Sequence, residues 1–249
     1  EKASLNYWNQ YLDGYSESAE IPFKLEEEGA YVESNEHIKI EGEVFEKIDS
    51  LCSSLGITMN TFIQTVWGYL LAQYNGRQDV VFGAVVSGRP GELEGVEDMI
   101  GLFNNTIPIR VKYDEEGTPE ELLKTMHQQS IQSSEHHYVS LAQVQSQSEL
   151  KSNLIDHIMV FENYVVKELE TEGELNSQGE DGLKIESITY FDQTNYNFNL
   201  TVYPGSTYVH INIRFNSNYY DTTLIQRIKN HLEMVVERFI DNANTPLNA

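Results

Sequence analysis

The hydrophobic and polar positions of this chain repeat with two periods, one typical of helices and one typical of strands. Leu5, Trp8 and Leu12 recur at spacings of three and four, which predicts a short helix that ends near Gly14. A stronger helical period begins after Thr58, whose hydroxyl can cap a helix, and an Asn-Gly pair ends it. Its apolar positions are Phe62, Ile63, Val66, Trp67, Leu70, Leu71 and Tyr74. This second pattern predicts a helix in the core.

A continuous apolar run from Val80 to Val86 follows this helix and predicts a strand that is buried on both faces. A helix placed directly before such a strand favours α/β layering. Similar patterns predict strands near 37–40, 156–161, 183–191, 197–203 and 207–215, and helices near 43–55, 118–134 and 221–239. We therefore expect an α/β fold, an α+β two-layer sandwich in which helices cover a mixed sheet.

Three polar stretches separate these elements. Residues 15–35 are acidic and predict a connector, and the segment 88–100 (GRPGELEGVEDMI) predicts a surface loop between two apolar runs. Residues 168–182 are acidic, contain glycine and have few apolar side chains, which is typical of an exposed loop.

Charge and composition exclude several kinds of partner. The formal net charge of −23 repels nucleic acid and anionic membranes. No stretch approaches the roughly 20 apolar residues of a membrane helix, and the first residues lack the apolar run of a secretory signal. Cys52 is the one cysteine, so an internal disulfide and a cysteine-based metal cluster are excluded. We expect a soluble, cytoplasmic protein.

The adjacent pair His136-His137 is the first candidate for catalysis, because an imidazole can act as a general base near neutral pH. The pair also lies at a predicted helix end, where it can interact with the helix dipole, and we favour that structural interpretation. The other histidines lack metal-site spacing. Ser87 lacks the GxSxG context of a nucleophile and fits a tight turn, and glycine-rich phosphate loops are missing. The residues alone therefore assign no catalytic group and no metal.

Three segments resemble, in the same order, motifs of the condensation domains of nonribosomal peptide synthetases. They are 79–83 (DVVFG) with 86–90 (VSGRP), then 100–110 (IGLFNNTIPIR), and then 156–164 (DHIMVFENY). Three long motifs in the family's order are a specific signal, and the resemblance extends over essentially the whole chain. Val165 departs from the family, because a proline often follows the Glu-Asn-Tyr run.

The resemblance implies an architecture. In condensation domains, two lobes similar to chloramphenicol acetyltransferase form a V, and a tunnel between them receives the phosphopantetheine arms of carrier proteins. Residues 1–249 as a whole look like the second, C-terminal lobe, with 1–14 as a trailing helix. The catalytic motif HHxxxDG belongs to the first lobe, and the residues after His136-His137 (YVSLA) do not match it. The resemblance thus implies that the catalytic histidine is outside this chain, and that the chain alone is inactive.

The resemblance also implies roles for individual residues. Arg89 would pair with the aspartate of the absent histidine motif, although it could also be an ordinary surface arginine on a turn. Segment 88–100 would form the floor of the tunnel, and segment 166–182 would be a latch that crosses to the first lobe, or else a mobile linker. The residues that would line the tunnel are Phe103, Asn105, Thr106 and Asn163. For the first three, turn polarity and core packing are the alternative.

For a complete domain, the resemblance implies that an acceptor aminoacyl amine attacks a donor thioester and gives a lengthened peptide thioester. The implied partners are the N-terminal lobe, peptidyl carrier proteins with their phosphopantetheine arms, and an adjacent adenylation domain; no cofactor would bind directly. A lobe of an epimerization domain and a non-catalytic module that docks carrier proteins are the two alternatives. Asn105-Thr106 followed by Pro108 favours the condensing type over epimerization.

Overall fold

The computed structural model describes residues 2–25, 30–88, 95, 98–162 and 194–248, and the fold is given for these residues. Its helices are α1 (Lys2–Tyr11), α2 (Gly42–Leu55), α3 (Met59–Asn75), α4 (Pro119–Ser134), α5 (Leu141–Gln147) and α6 (Thr222–Asp241), with a 3-10 helix at Lys151–Leu154. Its strands are β1 (Glu33–Glu41), β2 (Asp79–Ser87), β3 (Asn104–Lys112), β4 (Ile158–Phe161), β5 (Phe198–Pro204) and β6 (Tyr208–Asn216).

These strands form one mixed sheet in the order β1-β6-β5-β4-β2-β3. β4 pairs in parallel with β2 on one side and with β5 on the other. The remaining neighbours are antiparallel. A parallel pair requires a crossover connection, and β3, α4 and α5 lie in the one that leads from β2 to β4. The predicted α/β class and mixed sheet are confirmed.

α3 is the central helix of the core, and it is buried continuously from Thr61 to Ala72. Its Trp67 ring stacks on Phe198 of β5, with 5.7 Å between the ring centroids. The helix comes closest to the sheet at Gly68, where a β-carbon would lie 2.2 Å from Cγ2 of Val111. A larger residue there would push helix and sheet apart, at a cost of about 1–3 kcal/mol.

The helix ends carry the caps that the sequence predicts. Thr58 accepts a hydrogen bond from the backbone of the first turn of α3, and Asp221 does the same for α6. Thr118 and Glu121 form a reciprocal capping box at the start of α4. α2 ends at Gly56, whose φ of 65° is the left-handed conformation that glycine tolerates best. Local sequence therefore determines where these helices begin and end.

Residues 15–25, in the predicted connector between α1 and β1, pack against the body of the fold. Tyr15 and Ile21 are buried, and the Tyr15 hydroxyl accepts a hydrogen bond from the Val81 N–H at 3.0 Å. Arg77 donates to two backbone carbonyls of the same stretch. Apolar residues of this acidic stretch and its backbone therefore pack on the rest of the fold.

Two further elements, β3 and α5, were not predicted from the sequence. β3 contains Pro108, which is tolerated because β3 lies at the edge of the sheet. α5 is a single short helix with one buried side chain, Val144, so it has almost no periodic signal. The strand predicted near 183–191 lies outside the described residues. Within the described part of the chain, none of the helices has the length and apolarity to cross a membrane.

Candidate functional site

The three sequence motifs meet at one edge of the sheet. β2 runs antiparallel to β3, with Ser87 opposite Asn104, and it runs parallel to β4. The end of β2, the start of β3 and the end of β4 therefore lie side by side, and we call this region the carboxyl edge. In sheets with parallel strands, ligands bind outside the carboxyl ends of the strands. The carboxyl edge is therefore the candidate site.

A backbone hydrogen bond at the carboxyl edge joins the residue directly after β2 to the residue directly before β3. The Gly88 N–H donates a hydrogen bond of 2.9 Å to the carbonyl oxygen of Phe103. A β-carbon at Gly88 would lie 2.3 Å from that same oxygen, which is closer than any side chain allows. Only glycine therefore fits here without moving the backbone.

An exposed apolar pair lies beside this contact. The exposed fractions of Ile100 and Leu102 are 104% and 94%, respectively. Scattered apolar residues are normal on a protein surface, whereas neighbouring, fully exposed ones indicate a contact surface. The pair directly precedes Phe103, so it is presented at the carboxyl edge.

Asn105 and Thr106, at the start of β3, project to opposite faces of the sheet because successive residues of a strand alternate. The Asn105 amide Nδ2 donates to the carbonyls of His137 and Val139, at 2.7 and 2.6 Å. Both amide hydrogens are used in this way, so a bound group would have to donate to Oδ1. Thr106 lies beside Gly83, where a β-carbon would be 3.2 Å from its Cγ2. Tunnel lining by these two residues remains a prediction.

The pair His136-His137 lies in the turn that follows α4. His136 Nδ1 is 3.1 Å from the Ser4 hydroxyl, and His137 Nε2 is 3.3 Å from the Ser133 hydroxyl. Burial, together with the neighbouring His136, lowers the pKa of His137 to about 4. The predicted position at a helix end is confirmed. An interaction with the helix dipole does not apply to His137, because its imidazole is neutral at neutral pH.

Sequence reasoning missed a third imidazole, at the start of β4. His157 is fully buried, and its Nε2 accepts a hydrogen bond of 2.9 Å from the Trp67 indole. An indole N–H only donates, so Nε2 is the accepting nitrogen of His157 and Nδ1 is its donor. That nitrogen faces Asp156 Oδ2 at 3.5 Å. The Asp-His pair of the third motif, next to a helix rich in core aromatics, was the available signal.

Asp156 ties the stretch 15–25 to the sheet. Its carboxylate accepts hydrogen bonds from the Lys24 ammonium at 2.8 Å and from the Ile21 N–H at 3.0 Å. Burial favours a raised pKa, but His157, Lys24 and the Ile21 amide outweigh it, so the pKa of Asp156 falls to about 2. A carboxylate that is charged at neutral pH and bound in this way is a structural anchor and a poor proton acceptor.

Arg110 fixes the C-terminal end of α1. Its guanidinium donates two hydrogen bonds to the Asp79 carboxylate, at 2.8 and 2.6 Å. Nη1 also donates to the carbonyls of Tyr11 and Asp13, at 2.8 and 2.9 Å. The last carbonyls of a helix have no partner within the helix, and Arg110 supplies donors to them. α1 is thereby bound to β3.

Some predicted site residues lie outside the described residues. They are Arg89, Asn163, the segment 166–182 and most of the segment 88–100. The described residues that precede the first two, Gly88 and Glu162, both lie at the carboxyl edge, and the Glu162 N–H donates to Val202 of β5 at 2.9 Å. The roles proposed for these residues remain predictions.

A metal site requires several ligating side chains that converge on one point. The described ranges contain no cluster of three or more His, Cys, Asp or Glu side chains with suitable geometry. Cys52 is buried, and burial raises the pKa of its thiol to about 12. A thiol with so high a pKa is a poor nucleophile at neutral pH.

Comparison with protein families gives one match, to the family described as condensation domain, over residues 1–249. Bacitracin synthase 3 of Bacillus licheniformis is 37% identical over 246 residues, which cover 98% of this chain and 4% of that protein. Surfactin synthase subunit 3 of Bacillus subtilis (strain 168) is 36% identical over 249 residues, which cover 100% of this chain and 19% of that protein. The chain thus spans less than a fifth of these relatives.

Solved structures show the same fold. Holo-AB3403, a four-domain nonribosomal peptide synthetase bound to AMP and glycine, superposes with a TM-score of 0.79 at 15% identity, over 98% of this chain and 20% of that one. The condensation domain of the monacolin K polyketide synthase MokA gives a TM-score of 0.76 at 14% identity, over 99% of this chain and 58% of that one. These similarities place the sheet and its helices in the chloramphenicol-acetyltransferase-like fold.

Proposed function

The chain belongs to the condensation-domain family, and we propose that it is the C-terminal lobe of a peptide-bond-forming condensation domain in a nonribosomal peptide synthetase. The carboxyl edge would form one wall and the floor of a tunnel, and a first lobe would form the other wall. Phosphopantetheine arms of two carrier proteins would deliver the donor and the acceptor. The acceptor nitrogen would attack the donor thioester carbonyl, the carbon–sulfur bond would break, and the amine proton would end on the released thiol.

The observation that carries this proposal is the combination of features at the carboxyl edge. Gly88 and Phe103 form a rim joined by a backbone hydrogen bond, and Ile100 and Leu102 are fully exposed beside it. Such a rim next to an apolar contact surface is expected at one side of a cleft when a second lobe forms the other side. Coverage of 58% of the MokA condensation domain is consistent with half of a two-lobed protein.

In this proposal, the first lobe supplies the groups that accept and donate protons. His136 and His137 lie in the turn after α4, where they contact Ser4 and Ser133, respectively. His157 is buried against Trp67. Each of these three imidazoles therefore has a hydrogen-bond partner within the fold. This lobe would contribute hydrogen bonds, such as those accepted by the Asn105 Oδ1 and the Thr106 hydroxyl, to hold a pantetheine arm in place.

The test is a transfer assay with the chain alone, the chain co-produced with a first lobe that carries HHxxxDG, and that first lobe alone. Carrier proteins loaded with two amino acids supply the substrates, and mass spectrometry of the arms detects a dipeptidyl thioester. We expect the product only when both lobes are present. A product from the chain alone would refute the proposal. Inversion of a single residue without joining would indicate an epimerization domain, and carrier binding without either reaction would indicate a docking module.

Replacing Arg89 by alanine in the two-lobe domain should reduce the initial rate of dipeptidyl transfer at least tenfold, because the proposed aspartate partner would lose its guanidinium. The melting temperature should change by only a few degrees. Arg227→Ala on the exposed face of α6 is the matched control, and it should leave both quantities unchanged. An unchanged transfer rate in Arg89→Ala would identify Arg89 as an ordinary surface arginine.

A further inference from the structure

The side chain of Asn105 has an unusual pair of partners. Its Nδ2 lies 2.7 Å from the carbonyl oxygen of His137 and 2.6 Å from that of Val139. Both partners only accept, so the atom between them has to be the NH2 group, and both of its hydrogens are used. A single side chain thus fixes two nearly consecutive carbonyls of the turn that joins α4 to α5.

The same turn contacts α1 along residues 4–8. The Trp8 indole donates to the His136 carbonyl at 3.2 Å, and the Tyr7 and His136 rings pack with their centroids 4.2 Å apart. The Ser4 hydroxyl lies 2.6 Å from the Tyr138 hydroxyl and 3.1 Å from His136 Nδ1. Ser4 and Trp8 are both buried, so these contacts are shielded from water.

β3 therefore binds α1 at two points. Arg110 acts directly on the C-terminal end of the helix, and Asn105 acts on residues 4–8 of the helix through the 136–139 turn. Asn105 and Arg110 project from opposite faces of β3, because side chains at odd and even positions of a strand point to opposite faces. The orientation of α1 relative to the carboxyl edge is set by these two attachments.

We infer that Asn105 is a positioning residue, which fixes the direction of α1 relative to the carboxyl edge by holding the 136–139 turn. The inference rests in part on the proposed function, together with the expectation that α1 is a trailing helix continuous with the first lobe. Asn105 would then set the angle at which the two lobes meet, and hence the width of the tunnel. The coupling within this chain can be tested without any measurement of activity.

Asn105→Asp is the sharpest variant, because it keeps the shape of the side chain and replaces two donors by acceptors. A carboxylate facing two carbonyls is disfavoured, so its folded-state pKa should rise above the usual value of about 3.9. The native contact should therefore weaken as the pH rises through that raised pKa and recover below it. Asn104→Asp, at the exposed neighbouring position, is the matched control.

The measurement follows the two indole N–H signals by NMR in the isotopically labelled chain. Trp8 reports on the turn, and Trp67, bonded to His157 in the core, is an internal reference. In Asn105→Asp at pH 7 we expect the Trp8 indole N–H to shift and to exchange with solvent at least tenfold faster, on the scale of one or two lost hydrogen bonds. The Trp67 signal should keep its native position, and lowering the pH toward 5, above the pKa of about 4 of His137 in the same turn, should restore the Trp8 signal in part.

Asn105→Ser retains one donor and should give an intermediate shift, which keeps the test informative if the aspartate variant folds poorly. In Asn104→Asp both indole signals should match those of the unchanged chain at every pH. An unchanged Trp8 signal in a folded Asn105 variant would overturn the inference. Equal changes at Trp8 and Trp67 would also overturn it, because they would mean a general loss of stability. Both outcomes would leave the proposed function untouched.

Discussion

Replacing Arg110 by alanine is expected to lower the free energy of unfolding by about 3 kcal/mol, at the lower end of the range for a broken buried ion pair. The change removes the hydrogen bonds to Asp79 and to the carbonyls of Tyr11 and Asp13. Lys112 remains 3.5 Å from Asp79 and limits the loss. Urea denaturation of the purified chain measures the effect.

Two controls separate charge from geometry at this position. Arg110→Lys keeps the charge but cannot make the forked pair with Asp79, so its stability should fall between those of the unchanged chain and Arg110→Ala. Arg227→Ala removes an exposed arginine and should change the unfolding free energy by less than about 0.5 kcal/mol. If Arg110→Ala were as stable as Arg227→Ala, the attachment of α1 through Arg110 would not contribute to the free energy of unfolding.

Gly88→Ala should reduce dipeptidyl transfer by the two-lobe domain at least tenfold. The new β-carbon would lie 2.3 Å from the Phe103 carbonyl oxygen, so the end of β2 and the start of β3 would have to separate. A displacement of about 1 Å at a reaction site can cost a hundredfold in rate. The substitution is local, and we expect the melting temperature to fall by only a few degrees.

Ser87→Ala is the matched control for Gly88→Ala. It changes the exposed neighbouring side chain and leaves the backbone contact intact, so transfer should continue at the normal rate. Rates of transfer and melting temperatures are measured on the same preparations. Normal transfer by a folded Gly88→Ala domain would mean that the rim formed by Gly88 and Phe103 has no part in the reaction.

The helices and most of the strands could be predicted because their signals are local. Thr58, Thr118 and Asp221 cap helices through contacts within one turn, and the sequence contains everything that such a cap requires. The alternation along β6 is equally local. Burial of Ile21 depends on Asp156, which is far away in the chain, and no periodic pattern encodes that pairing.

The site was predicted less completely than the fold. The motifs around Gly88 and Asn105 are recognisable in sequence, and the structure brings the ends of their strands together at one edge. The hydrogen bonds from the Asn105 amide to two carbonyls of the turn could not be predicted from the sequence. They depend on how the turn after α4 is placed against the edge strand β3. His157 was overlooked for a related reason: its partner, Trp67, lies on a helix that is remote in sequence.

The pairing of β1 with β6 bears on how the chain is made. Glu33 of β1 faces Asn216 of β6, so β1 cannot pair until synthesis has proceeded through β6. At about 5–20 residues per second, the interval between synthesis of Glu33 and of Asn216 is on the order of ten to forty seconds. Exposed charges at Glu33, Lys39 and Glu41 discourage the waiting strand from pairing with another nascent chain. Removing these charges should therefore lower the yield of soluble protein during synthesis more than it lowers the stability of the finished fold.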